Sequence, residues 1–386
     1  LIRENLYSHL RPSYVVYIES TLLNMIGANR RNLSDHPMWW CLQLKAMMRW
    51  SRIRSRRRDE MQNDVLAIGV DLGGTKTAFV LADREGRVHK ETRHPTANEA
   101  GPSGVMDQII RVVKELRKVA EFPLVGIGIG VAGQIEAQSG LVRFAPNLDW
   151  HDVPLGEELN KALELPVAIT NDVRAATWGE WLFGAGQGCE ELICIFVGTG
   201  IGGGIVTGGQ ILSGCSNTAG EIGHITIDVH GPECSCGNRG CMEAFAGGWS
   251  IAMRAREAAR EFPDRSAALL AMTRGRHEDI TAKTVAQAYL AGDDLAKQLV
   301  DEAAEALIAG STSLVNAFNP CRLVMGGGVI QGLPELVQRV EEGVRRRALN
   351  AATHSLRIVM SRLGGKAGAI GAAALAMRSF PAAGDV

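Results

Sequence analysis

No apolar run in this 386-residue chain reaches the ~18 residues that a helix needs to cross a bilayer, so no membrane-spanning helix is expected. Charge of one sign is missing too: the formal net charge of −1 advertises neither nucleic acid nor an anionic membrane as a partner. A disulfide framework is also lacking. Of eight cysteines, Cys234, Cys236 and Cys241 cluster, while Cys41, Cys189, Cys194, Cys215 and Cys321 are scattered. That pattern points to a reducing compartment, the cytoplasm, and to one metal site. There is no low-complexity tract and no short-period solenoid repeat. What remains is a chain of 46% apolar and 22% charged residues, long enough for two globular domains with a substantial core.

The chemistry is densest between Gly214 and Glu243, GCSNTAGEIGHITIDVHGPECSCGNRGCME. A histidine with Cys234, Cys236 and Cys241 is a complete four-ligand set for tetrahedral Zn²⁺ with no open position, which reads as structural zinc. His224 and His230 compete for the fourth ligand. Gly231, Pro232, Gly237 and Gly240 let the backbone turn sharply enough to gather the thiolates. Glu221 and Glu243 flank the clamp and are held by it, as a site for a polyhydroxyl ligand requires.

Upstream, VLAIGV (65–70), DLGGTK (71–76) and TAFVLA (77–82) read as strand, glycine turn and strand. Such a hairpin offers N–H groups with no side chain in the way, which suits phosphate, and Asp71 at its mouth suits water-mediated Mg²⁺. An ordinary hairpin would look the same. LICIFVGTGIGGGIV (192–206) repeats the pattern. Two such hairpins favour a nucleotide held between two related lobes. Gly128-x-Gly130-x-x-Gly133 and Gly198-x-Gly200-x-x-Gly203 match the dinucleotide fingerprint in letters only, because no helix follows either. Val105, Ile109, Val112, Val113 and Leu116 share one helical face. PVAITNDV (166–173) is a strand ending in Asn171–Asp172 before a helix. A carboxylate there projects into the crevice where α/β proteins bind ligands, although an N-cap role for Asp172 competes. Asn147, in PNLDW, is a polar loop contact. RLVMGGGVI (322–330) carries a third glycine turn, and KAGAIGAAALAM (366–377) a small-residue helix suited to close packing on the first lobe.

Residues 1–60 differ from the rest. They are arginine-rich, end near RSRRRDE and carry Trp39, Trp40 and Trp50, with Met61 just before the first clear strand. A basic, poorly ordered extension is the expectation. A DNA-contacting module would need two amphipathic helices around a tight turn, and the periods here are weak. Glu4, Glu19 and Asp35 count against a transit peptide.

DLGGTK, GIGVAG (128–133), ITNDVRAA (169–176), VGTGIGGG (197–204), GEIGH (220–224), CSCGNRGCME (234–243) and LVMGGGV (323–329) occur in one order. Over residues 64–377 the chain resembles the ROK family of bacterial sugar kinases and sugar-responsive repressors. The resemblance implies an α/β, two-lobed, actin-like (ribonuclease-H-like) ATPase fold with a zinc-binding loop. It divides the chain into a small lobe, 61–160 with 362–386, and a large lobe, 161–361. It implies ATP- and Mg²⁺-dependent phosphorylation of a hexose at its 6-hydroxyl, glucose first, by a homo-oligomer (dimer or tetramer). An N-acetylmannosamine or N-acetylglucosamine kinase, polyphosphate as donor, and a sugar-responsive repressor are the alternatives. Carried over by position, Asp172 is the catalytic base, and Gly133, Asn147, Asn171, Glu221, His224 and Glu243 contact the sugar. Asp71, Gly73, Gly74, Thr75, Lys76, Gly198, Thr199, Gly200 and Gly327 fall on the nucleotide side. His224, Cys234, Cys236 and Cys241 match the zinc ligands, leaving His230 as an exposed loop histidine. Ala132 stands where many members have proline, which loosens the loop bearing Gly133 without removing a functional group.

Overall fold

The computed structural model describes residues 65–136 and 138–381; the N-terminal extension and its tryptophans lie outside them. The first sheet begins with β1 (Leu66–Leu72), β2 (Lys76–Asp83), β3 (Val88–Pro95) and β4 (Leu124–Val131). A separate three-stranded ribbon follows: β5 (Gln134–Glu136), β6 (Leu141–Ala145) and β7 (Trp150–Val153). The chain then returns to the first sheet as β8 (Val167–Asn171), giving the order β3-β2-β1-β4-β8. The second sheet is built from β9 (Leu192–Val197), β10 (Ile201–Thr207), β11 (Gln210–Ile211), β12 (Arg322–Gly326) and β13 (Arg357–Met360), in the order β11-β10-β9-β12-β13.

The two orders are the same plan. In each, three antiparallel strands are extended on one side by two parallel ones. The chain therefore has the two-lobed actin-like, ribonuclease-H-like α/β fold. The parallel strands need crossovers, which are helical. They include α1 (Gly101–Lys118) and α2 (Leu155–Leu163) in the first lobe. The second lobe follows α3 (Asp172–Phe183) and holds α4 (Met242–Ala246), α5 (Gly248–Glu261), α6 (Ala282–Leu290), α7 (Asp294–Phe318), α8 (Gly328–Gly332) and α9 (Glu335–Arg347). The last helix, α10 (Ala367–Ser379), returns to the first sheet. No helix among the described residues is long and apolar enough to cross a membrane.

Side-chain alternation explains why the first sheet folds as it does. Leu66, Ile68, Val70 and Leu72 of β1 and Ile127, Ile129 and Val131 of β4 join the buried side chains of α1 and α2 in one core. The intervening positions are small and face α10, whose Ala369, Ile370, Ala373 and Ala376 form a second, thinner layer with Ala67. A Cβ at Gly128 would lie 1.7 Å from the Ala372 carbonyl oxygen. The apparent dinucleotide fingerprint is thus strand alternation, with glycine wherever a helix backbone comes close. Gly128→Ala should lower unfolding stability by about 1–3 kcal/mol or more, because backbone must move. Urea titration checks this, and an unchanged midpoint would contradict it.

The sequence boundary near residue 160 moves: β8 pairs with β4 in parallel, so the change of sheet falls after Asn171. The second crossing, between β13 and α10, runs through residues 361–366. There Glu180 of α3, fully buried, accepts from the Arg362 and Leu363 N–H groups (2.9 and 2.7 Å) and from Ala185 N–H (2.8 Å). This carboxylate binds three loop amides to one helix, and nothing in its sequence surroundings announced it.

Candidate active site

Asp71 near the end of β1 and Asp172 at the start of α3 line one small cavity with Gly327, Gly328, Gly364 and Gly365. Sequence reasoning left open whether Asp172 merely caps its helix. It does not: Asn171 is the N-cap, its Oδ1 accepting from Val173 N–H (3.0 Å) and Arg174 N–H (3.1 Å). Asn171 also donates through Nδ2 to the Gly133 carbonyl at 3.3 Å, tying the loop after β4 to this corner. Asp172 lines the cavity rather than capping the helix.

Both carboxyls are pushed up by their surroundings. Burial raises Asp71 to about 7, with the Asp172 charge adding and Arg93 opposing. Burial raises Asp172 to about 6; backbone hydrogen bonds oppose this and the Glu221 charge adds to it. A desolvated pair of carboxyls at the mouth of a glycine hairpin is poised for a cation or a proton.

Each sheet contributes one glycine hairpin. The β1–β2 turn closes through Gly73 N–H to the Lys76 carbonyl at 3.1 Å, and the β9–β10 turn through Gly198 N–H to the Gly200 carbonyl at 2.9 Å. Thr75 and Lys76 are exposed on the first turn, and Thr199 on the second. Gly74 is pressed against the Asn147 backbone, so the exposed Asn147 sits beside the first hairpin. Gly327 adopts φ +91, where a Cβ would strike the Val197 backbone at 2.3 Å. That left-handed turn joins β12 to α8. Beyond it, a cavity of about 740 Å³ is lined by Thr199, Trp249, Arg256, Lys283, Val329 and Gln331 among others. Its size and mixed lining suit a nucleoside-sized ligand.

The opposite wall is the cysteine stretch. His224 Nδ1 lies 3.6 Å from Cys234 Sγ, Cys236 Sγ lies 3.7 Å from Cys241 Sγ, and all four ligand atoms are within 4.8 Å of one another. Tetrahedral bonds of ~2.3 Å from sulfur to zinc separate two sulfurs by about 3.8 Å, so the spacing fits zinc. Burial and the neighbouring thiols push Cys241 up to about 12, so three thiolates would not gather without a cation. His230 stands on an exposed loop outside the cluster. Glu221 is exposed at the head of the turn Ile222–His224. Glu243 is 8% exposed and accepts from Ile201 N–H (2.6 Å), Trp249 Nε1–H (3.1 Å) and Ser235 Oγ–H (3.2 Å).

Sequence reasoning missed several participants. Arg174 is buried and donates to Asn217 Oδ1 and to the Asn217 and Ala219 carbonyls, fixing the segment that leads to Glu221. Asn217 in turn donates to the Ile135 carbonyl at 3.1 Å, linking that segment to the ribbon. Trp249, Arg256 and Lys283 carried no motif. Gly364–Gly365, a further glycine pair after a strand, was a legible signal left unused.

The family model that matches is that of the ROK family, over residues 67–379. The chain belongs to the ROK family. Glucokinase of Streptomyces coelicolor is 36% identical over 317 residues, covering 82% of this chain and 99% of that protein. The xylose repressor of Caldicellulosiruptor bescii is 32% identical over 321 residues, covering 81% of this chain and 79% of the repressor. Among solved structures, the ROK family glucokinase from Streptomyces griseus in complex with glucose and AMPPNP matches with a TM-score of 0.70 and 36% identity. It covers 81% of this chain and 99% of that one. These ROK relatives thus include a kinase matched almost end to end and a repressor matched over 79% of its length.

Proposed function

We propose that this chain is an ATP-dependent hexose kinase that phosphorylates glucose at its 6-hydroxyl. The observation that carries the reading is the Asp71–Asp172 corner, where two desolvated carboxyls share one cavity with the glycine turns at Gly327–Gly328 and Gly364–Gly365. The near full-length similarity to glucokinases supports it. A sugar hydroxyl is a poor nucleophile, and Asp172 accepts its proton as the bond to phosphorus forms. Bound Mg²⁺ with ATP supplies charge neutralisation of the transferring phosphoryl group. Asp71 would hold that cation, and the turns around Gly73–Thr75 and Gly198–Gly200 take the phosphates. The cavity beside Trp249 takes the nucleoside. Glu221, His224 and Glu243, with Asn147, Asn171 and Gly133, hold the sugar hydroxyls. His224, Cys234, Cys236 and Cys241 would hold zinc, which would fix that wall. The chain works as a homo-oligomer in the cytoplasm, where ATP and reduced thiols coexist; light scattering tests the assembly.

The deciding experiment is a coupled ADP-release assay with glucose, other hexoses and N-acyl hexosamines, each with ATP and with polyphosphate. Turnover highest with glucose and ATP is expected. No turnover with any hexose, together with salt-sensitive binding to duplex DNA, would overturn the kinase reading in favour of a repressor.

The pH profile follows from Asp172. A base works deprotonated, and burial has raised this one to about 6. The kcat/KM, which reports the ligand-free enzyme, should therefore be flat above about pH 7 and fall about tenfold per unit below 6. Stability runs the other way. Between the ordinary 3.8 and the raised values, the folded chain holds protons that the unfolded chain releases, so stability of the ligand-free protein falls as pH rises through that window. A kcat/KM that stays constant down to pH 5 would contradict the base assignment.

A further inference from the structure

Glu243 is where three separately folded pieces of the second lobe meet. Its Oε2 accepts from Ile201 N–H, the first residue after the β9–β10 turn, at 2.6 Å. Its Oε1 accepts from Ser235 Oγ–H, between two cysteines of the cluster, at 3.2 Å, and from Trp249 Nε1–H at 3.1 Å. A carboxylate offers about four lone-pair directions, so roughly one is left for an outside donor. A Cβ at Gly200 would lie 2.3 Å from Oε2, so the turn can approach this closely only as glycine.

Trp249 has a second connection. Trp249 lines the cavity beside Thr199, its backbone N–H donates to the Thr199 carbonyl at 2.8 Å, and Gly248 N–H donates to the Gly198 carbonyl at 3.0 Å. One residue therefore borders the nucleoside-sized cavity and gives its indole N–H to the carboxylate. Phenylalanine could do only the first.

We propose that Trp249 is a positioning residue that couples the two ligands, holding Glu243 in the orientation that receives a sugar hydroxyl when the cavity is filled. This rests on the kinase reading above. The indole already donates to Oε1 in the ligand-free chain, and a nucleotide packed against Trp249 strengthens the hold of that bond on the carboxylate the sugar meets. That is positive coupling within one lobe, with no movement between lobes required. The reverse holds by the same linkage: sugar on Glu243 tightens the nucleotide by the same factor.

The test is calorimetric titration of glucose into the full chain, alone and with saturating AMPPNP and Mg²⁺. The readout is the ratio of the two glucose Kd values. Wild type should show a ratio of about 5 or more. Trp249→Phe keeps a ring but loses the N–H, and its ratio should fall close to 1 at saturating AMPPNP. Ser235→Ala removes the other donor to Oε1 without touching the cavity. It should weaken glucose in both titrations and leave the ratio at the wild-type value. A wild-type ratio in Trp249→Phe, a collapsed ratio in Ser235→Ala, or a ratio of 1 in wild type would each overturn the proposal. A wild-type chain that turns over no hexose refutes the kinase reading instead, and shows this before any ratio is measured.

Discussion

Asp172→Asn should reduce kcat by about 10²–10⁴-fold while changing the glucose Kd by only a few fold. The substitution keeps the shape of the side chain and removes its ability to take a proton. Its interpretation rests on what Asp172 does not do. Asn171, one residue earlier, accepts the first free amides of α3, so helix capping survives the change. Burial has pushed the Asp172 carboxyl up to about 6, so at neutral pH it is ionised but its charge costs the folded chain stability relative to the unfolded one. An amide there should leave the melting temperature unchanged or raised above pH 7. Lost turnover with undiminished stability and retained glucose binding is the signature of a base. Lost turnover with a lowered melting temperature and no glucose binding would instead mark a structural residue, and retained turnover would refute the assignment outright. Asp71→Asn makes the contrast. It also removes a desolvated charge, but its effect should appear as a raised Mg²⁺ requirement.

Much of this architecture was legible because the informative signals are local. A strand, a glycine turn and a strand need only neighbouring residues, which is why Asp71–Lys76 and Val197–Gly204 could be read as matching hairpins. The alternation Gly126, Gly128, Gly130 with Ile127, Ile129, Val131 was equally visible, but its meaning was not. Gly128 is met by α10, more than 230 residues later in the chain, and Gly130 by α3. The assignment of β8 to the first sheet has the same character, since pairing with β4 is a tertiary fact and the composition changes at neither end. The duplication of the two sheets was legible in the matching hairpins but not in the two parallel strands that extend each of them, because those pair by tertiary contact. Arg174, Glu180 and Trp249 lay beyond sequence reasoning for a related reason. Each looks like an ordinary helix residue until the loop it binds is brought beside it. Buried polar groups gain their meaning from partners, and the partners here are backbone groups that carry no residue-type signal.

Stripping zinc should lower the melting temperature and weaken glucose together. If the site holds zinc at a free concentration 1,000 times its Kd, the metal contributes about 4 kcal/mol to the folded state. Without it, the loop between Thr226 and Cys241 keeps a bridge between those two residues, another between Glu233 and Arg239, and a few turn bonds. Cys241, pushed up to about 12, would be a buried thiol rather than a ligand. The path to the sugar is short. Ser235 stands between two ligand positions and donates to Glu243, so the cluster is one hydrogen bond away from that carboxylate. Glucose affinity should therefore fall about 10–100-fold, the range typical when groups that orient a site are lost. Nucleotide affinity in the absence of sugar should fall far less, because Gly248 and Trp249 remain bonded to Gly198 and Thr199 whatever happens at the cysteines. Dialysis against a chelator, with metal content measured and glucose and AMPPNP titrated separately, distinguishes the cases. Equal loss of both ligands would mean that the cluster supports the whole lobe. Unchanged glucose binding after verified zinc loss would mean that the wall holding Glu221, His224 and Glu243 stands without it.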